Sequence, residues 1–183
     1  MNEQQAIQAL KSGDIGGLAD LVACHQVKAI RVAYLITRDA HLAQDVVQDV
    51  FLQVYHGIAR FDANRPFEPW FMRSVVNTAL KSAQKTAKQL SLVSEETEAQ
   101  NWLIAQDSVE GQVESAEFQQ EIWDAMQKLS PRQRAVIVQR YFLEMSEKEM
   151  AETLEAAPGT VKWLLNAARA RLRSLLGSER SAK

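Results

Sequence analysis

Hydrophobic residues recur at three- and four-residue intervals along most of the chain, and the breaks between these runs carry helix-ending or helix-capping residues. A short helix is predicted from about Gln4 to Lys11, stopped by Ser12-Gly13. Asp14 is placed to cap a second helix, whose apolar positions Leu18, Leu21, Val22, Ala29, Ile30 and Ala33 carry it to about Ile36. After Thr37-Arg38-Asp39, Asp39 can cap a third helix to about Ala59. Its buried stripe is Leu42, Val46, Val47, Val50, Phe51, Val54 and Ile58, and its opposite face shows Gln44, Asp45, Gln48, Asp49 and Gln53. Residues 60–66 form a loop, and Pro66 suits the first position of a fourth helix to about Lys88 that begins aromatic (Phe67, Trp70, Phe71) and ends basic. Four such helices suffice for one small helical domain.

The pattern resumes near the other end. Ser130-Pro131 is a helix start, and Val136, Ile137, Arg140 and Tyr141 keep helical spacing behind it. Ser146 and Glu149 form a capping box for a short helix to Leu154. Glu155 to Gly159 break that helix, and a longer one is predicted from about Thr160 to Leu176. Val161, Leu165, Ala168, Leu172 and Leu175 line one side of it, while Lys162, Trp163, Asn166, Ala167 and Arg173 fall elsewhere. Two short helices, a tight turn and a helix with one apolar and one contact face make a helix-turn-helix, the last helix free to enter a DNA major groove. Ala151 is small enough for the helix crossing, and Val161 and Leu164 take core positions. Glu155 stands where a left-handed turn favours Gly. The competing reading is a three-helix bundle without a ligand, but such bundles rarely combine this turn with a basic last helix.

A net charge of −2 argues against nucleic-acid binding only if it is spread evenly, and it is not. Residues 71–90 hold Arg73, Lys81, Lys85 and Lys88 with no acid. Residues 91–122 hold Glu95, Glu96, Glu98, Asp107, Glu110, Glu114, Glu117 and Glu121 with no base. Residues 159–183 hold Lys162, Arg169, Arg171, Arg173, Arg180 and Lys183 against Glu179. Two basic segments therefore flank an acidic one. Four Pro and seven Gly favour an all-α protein, and Cys24, the single cysteine, leaves no internal disulfide. No long apolar run and no basic-then-apolar leader are present, which predicts a soluble cytoplasmic protein.

Little in the chain suggests an enzyme. His41, Asp45 and Asp49 share one helix face at metal-compatible spacing, but they also sit opposite a clear apolar stripe and read better as solvated positions. No Ser-His-Asp order or glycine-rich phosphate loop stands out, and neither a metal nor a cofactor is implied. Phe67, Trp70 and Phe71 interleaved with bases could stack on unpaired nucleotides or could simply be core.

Three blocks decide among these possibilities. Residues 42–55 (LAQDVVQDVFLQVY), 61–77 (FDANRPFEPWFMRSVVN) and 129–176 together closely resemble the extracytoplasmic-function (ECF) group of the bacterial sigma-70 family, in the family's order and spacing. The resemblance implies two small helical domains: region 2 over 1–90 and region 4 over 119–177, with an acidic linker over 91–118 and a tail over 178–183. It implies that Asp45, Gln48, Asp49, Leu52 and Gln53 dock on the coiled coil of the polymerase's β′ subunit. The −10 element would be read as single-stranded DNA by Phe61, Asn64, Phe67, Trp70, Arg73, Asn77 and Lys81, with a flipped base near Phe61, Asn64 and Phe67. The −35 duplex would be read by Thr160, Lys162, Trp163, Asn166, Arg169 and Arg173. Expected partners are core RNA polymerase, including its β flap, promoter DNA and an anti-sigma factor. The linker, with Trp102-Leu103-Ile104 as an apolar anchor, would pass through the polymerase cleft; a plain acidic spacer is the alternative. Relatives often carry Arg or another polar residue at the positions of Leu164 and Ala167 and Asp at that of Lys81, so fewer −35 phosphate contacts and a shallower salt dependence are expected. Two other functions remain open: a DNA-binding regulator acting without polymerase, and a polymerase-binding protein that reads no promoter.

Overall fold

The computed structural model describes the backbone of residues 2–90 and 113–180 and the side chains of 2–89 and 119–177. The acidic segment and its Trp102-Leu103-Ile104 anchor lie mostly or wholly outside the described residues, as does the very end of the tail. Every regular element among the described residues is helical, which agrees with the all-α, two-domain expectation. The chain divides into two units near Glu95.

The first unit holds α1 (Glu3–Lys11), α2 (Gly16–Thr37), α3 (Ala40–Gly57), a single 3-10 turn (Ile58–Arg60) and α4 (Phe67–Leu90). Asn2 opens α1 through a reciprocal capping box with Gln5. Gly13, at φ +92°, turns the chain toward α2, where the Asp14 carboxylate accepts the Gly16 amide at 2.8 Å. Arg38 in the left-handed region ends α2, and Asp39 then caps α3 by accepting from the Leu42 amide at 3.0 Å. α4 starts at Phe67, one residue past the predicted Pro66. The core combines Leu21, Ala29, Val32 and Ile36 of α2, Val46, Val47, Val50 and Val54 of α3, and Phe67, Phe71, Val75, Val76 and Ala79 of α4. Gly17 lets α1 lie directly against α2, burying Ala6, Ile7 and Leu10.

The second unit holds α5 (Val113–Gln127), α6 (Pro131–Ile137), a π-turn (Val138–Phe142), α7 (Glu147–Thr153) and α8 (Pro158–Arg180). Ser130 and Ser146 both make full capping boxes, with Gln133 and Glu149 respectively. No helix was expected where α5 lies, and it begins ahead of residue 119; α8 spans from Pro158 into the segment expected to be a tail. Pro158 does not end structure here, because a ring without N–H is harmless in a first helical turn. Glu155 does adopt the left-handed turn, at φ +48°, and the Ala156 amide closes it onto the Ala151 carbonyl at 3.0 Å. Ala151, Val161, Leu165 and Ala168 are buried where α7 and α8 pack; Leu164, Leu172 and Leu175 are half-buried.

Candidate polymerase and nucleic-acid interfaces

On α3, Asp45, Gln48, Asp49, Leu52 and Gln53 are all exposed, whereas Ala43, Val46, Val47, Val50, Phe51 and Val54 are buried. The exposed positions repeat at i, i+3, i+4, i+7 and i+8, so they form one continuous face. Leu52 and Tyr55 remain 48% and 42% exposed on that helix, placing apolar surface among the carboxylates and amides. Such a face suits docking: an apolar centre bordered by groups that accept charge-assisted hydrogen bonds. His41, Asp45 and Asp49 do not converge, and among the described residues no His, Cys, Asp and Glu group is arranged to hold a metal.

The loop between the 3-10 turn and α4 is shaped by its own residues. The Asp62 carboxylate accepts both the backbone amide and the side-chain amide of Asn64 at 3.0 Å. Phe61 folds inward at 5% exposure, its ring 4.7 Å from Trp70 and edge-on to Phe67 at 5.7 Å. Phe67 is fully buried, stacked with Phe71 and tilted against His25 at 5.3 Å. Phe61 and Phe67, both expected beside a flipped base, are thus buried beneath the loop, Phe67 packing against His25 of α2. Asn64 is exposed and Trp70 half-exposed, so these two offer the surface above it.

Along α4, Trp70, Arg73, Asn77 and Lys81 follow at i, i+3, i+7 and i+11, within about 80° of helix surface at 100° per residue. Lys81 is exposed and the other three are half-buried, opposite the core residues of the same helix. Gln84 and Lys88 continue that line, giving a ridge about 27 Å long at 1.5 Å per residue. From α2, Lys28 pairs with Glu68, and His25 meets Glu3 of α1 at 2.8 Å. The first contact ties the start of α4 to α2 and the second ties α1 to α2; neither was anticipated, because each joins residues distant in sequence.

On α8, Thr160, Lys162, Trp163, Asn166 and Arg173 are exposed and Arg169 is half-exposed. Lys162, Asn166, Arg169 and Arg173 share a stripe about 60° wide, and Trp163, 68% exposed, lies beside it. The face thus combines cations, an amide and a large apolar ring, the groups used for phosphate contacts and base edges. Behind it, Arg134 is buried and donates to the Leu129 carbonyl at 2.6 Å, and Arg140 donates to Met145 at 3.0 Å. Gln139 is buried with neither amide atom hydrogen-bonded, and nothing in the fold explains this.

One helical unit carries the exposed α3 face and the basic α4 ridge, and the other carries a helix-turn-helix. Sigma-70 region 2 matches residues 21–89 and sigma-70 region 4 matches residues 119–172. The chain is 31% identical over 179 residues to the ECF RNA polymerase sigma factor SigW of Bacillus subtilis, an alignment covering 94% of this chain and 96% of that protein. It is 25% identical over 166 residues to the RNA polymerase sigma-H factor of Pseudomonas aeruginosa, covering 87% and 86%. The structure of CnrH in complex with the cytosolic domain of CnrY matches with a TM-score of 0.62 and 25% identity over 96% of this chain and 97% of that one. The sigma factor RpoE of Bartonella quintana, solved with the anti-sigma factor NepR, shares the fold with a TM-score of 0.66, at 19% identity over 87% and 96%. The chain belongs to the ECF sigma factors: it binds core RNA polymerase and directs it to promoter DNA. Sigma factors are non-enzymatic initiation factors, and no described helix is long and apolar enough to cross a membrane.

Proposed function

We propose that the three exposed faces divide promoter recognition among them. The α3 face (Asp45, Gln48, Asp49, Leu52, Gln53) docks on the β′ coiled coil, and the second unit engages the β flap. The α8 face places Lys162, Trp163 and Asn166 in the −35 major groove, with Thr160 at its entrance and Arg169 and Arg173 on phosphates. The 61–66 loop and the α4 ridge take the non-template strand of the −10 element as the duplex opens. Asn64 and Trp70 meet the bases over the Phe61–Phe67 floor, and Arg73, Asn77 and Lys81 line the strand's path. Melting costs a few kcal/mol per unstacked step, and capture of unstacked bases offsets that cost.

No bond is made or broken by this chain in that scheme; the polymerase carries the chemistry, and the protein works in the cytoplasm. The acidic linker occupies the polymerase's nucleic-acid channel until growing RNA displaces it. Because the CnrH and RpoE structures are complexes with CnrY and the anti-sigma factor NepR, an anti-sigma factor is the expected restraint on this chain as well.

The observation that carries the reading is the α4 ridge, a line of aromatic, basic and amide side chains kept out of the core over the full helix. The test is in vitro transcription with sigma-free core polymerase on sheared DNA of the source organism, with RNA 5′ ends mapped. Discrete starts sharing two upstream elements are expected. Core binding without discrete starts would reduce the protein to an interaction partner, and duplex binding without core would make it an independent regulator.

A further inference from the structure

Tyr141 takes no part in the faces described above, yet its placement ties it to one of them. It lies in the π-turn that follows α6 and is 59% exposed. Its hydroxyl accepts a hydrogen bond from Arg169 Nε at 2.7 Å, across 28 positions of sequence. The guanidinium carbon is 5.6 Å from the ring centroid, near the outer limit for a cation–π contact, so the hydroxyl rather than the ring face makes the link. Arg169 Nε is thereby committed, and its two terminal nitrogens remain available. A phenol that accepts one hydrogen bond still has its own proton to donate.

Arg169 shares its stripe of α8 with Lys162, Asn166 and Arg173, so Tyr141 stands at the margin of the same cationic face. Tyr141 lies in the π-turn at the end of α6, and such turns are frequent at functional sites. Tyr141 is left largely in solvent rather than packed, although an aromatic of this size is ordinarily used to fill a core.

We propose that Tyr141 and Arg169 form a phosphate clamp at the flank of the −35 duplex, the Tyr141 hydroxyl orienting the guanidinium and donating its own proton to the phosphate that Arg169 holds. This rests on the assignment of α8 to −35 binding, and it adds a contact from outside the recognition helix.

The experiment is a double-substitution cycle in reconstituted holoenzyme on a promoter fragment, reading affinity from about 50 to 200 mM salt. Tyr141→Phe keeps the ring and lowers affinity about two- to tenfold with unchanged salt slope, since no charge is lost. Arg169→Ala lowers affinity and reduces the slope by about 0.9, the signature of one phosphate. The double variant is weakened by clearly less than the product of the two single effects. A Tyr141→Phe protein with wild-type affinity overturns the clamp, and so do two strictly multiplicative effects. An Arg169→Ala protein with unchanged affinity and slope instead overturns the placement of this stripe on −35 phosphate, and the clamp with it. Thermal unfolding of Tyr141→Phe at the wild-type temperature is expected; a lower temperature with multiplicative effects assigns Tyr141 to stability alone and overturns the clamp.

Discussion

Replacing Gly17 by Ala tests how the first unit is assembled. A Cβ there would lie 2.3 Å from the Ala6 carbonyl oxygen and 2.7 Å from the Leu10 amide nitrogen. Both are backbone atoms of α1, so no rotamer change can relieve the overlap, and α1 must either shift or leave. Leaving exposes Ile7 and Leu10, now 2% and 4% exposed, at about 1.5–3 kcal/mol each, or about 3–6 kcal/mol together. A shift that absorbs one extra methyl costs about 1–3 kcal/mol. The shift is the cheaper response, so α1 stays on α2 in a displaced position. The Glu3–His25 contact depends on the seating of α1 and should break first. Hydrogen exchange by mass spectrometry reads this directly, because core amides of α2 report the free energy of the whole unit. At about 1.4 kcal/mol per tenfold, Gly17→Ala should speed their exchange about 5- to 150-fold, with larger acceleration in α1. Gly57→Ala is the control: no atom lies within 4 Å of its Cβ, and the same amides should gain up to about 1 kcal/mol. Exchange in Gly17→Ala within twofold of wild type would show that α1 is not held by this contact.

The remaining predictions concern positions where the surroundings set the sign. Glu155→Gly removes a side chain from a left-handed turn and should stabilise the second unit by up to about 1 kcal/mol, read as a higher unfolding temperature; a decrease would mean that the Glu155 side chain matters more than its backbone strain. Asp49→Ala leaves folding unchanged because the residue is exposed, while affinity for core polymerase in a fluorescence competition assay falls by about 2 kcal/mol; unchanged affinity would remove Asp49 from the docking face. Phe67→Ala empties a fully buried site and should cost about 3–5 kcal/mol, measured by chemical denaturation, whereas Asn64→Ala should leave stability and core binding alone and weaken capture of −10 single strand; equal effects on stability would contradict the separation of loop surface from floor.

Local patterns explain which parts of this architecture could be read directly. The α3 stripe was legible because a helix half-sunk in a core must repeat apolar residues at its own period, and the polar face follows by subtraction. Asp39, Ser130 and Ser146 were legible because a capping side chain acts within three residues of itself. The turn at Glu155 was legible for the same reason. Helix ends were harder. α8 continues past Leu176 without an apolar stripe to announce it, and α5 starts within a stretch whose strongest feature is its negative charge. Arg134 turns inward to a carbonyl five residues back, and only packing reveals that. Glu3–His25, Lys28–Glu68 and Tyr141–Arg169 had no local signal at all, since their partners meet only after the helices have packed.

The aromatic segment is where the two kinds of information conflict, and the structure gives the reason. Along α3 and α8, a residue serves either the core or the contact face, so position on the helix separates the two jobs. In residues 61–71 the core and the proposed contact surface share one cluster: Phe61 closes the loop onto Phe67 and Trp70, and Phe67 continues into Phe71 and His25. Periodicity cannot divide such a cluster, because its members are adjacent in space while occupying different faces and a loop. The consequence runs from packing to recognition. A single-strand reader must hold its bases over a surface that does not yield when the duplex opens, and a floor tied through Phe71 and His25 to α1, α2 and α4 meets that requirement. In the proposed scheme Phe67 serves the −10 strand through rigidity and Asn64 through contact, so their loss should separate in affinity, stability and melting even though both lie in one seven-residue stretch.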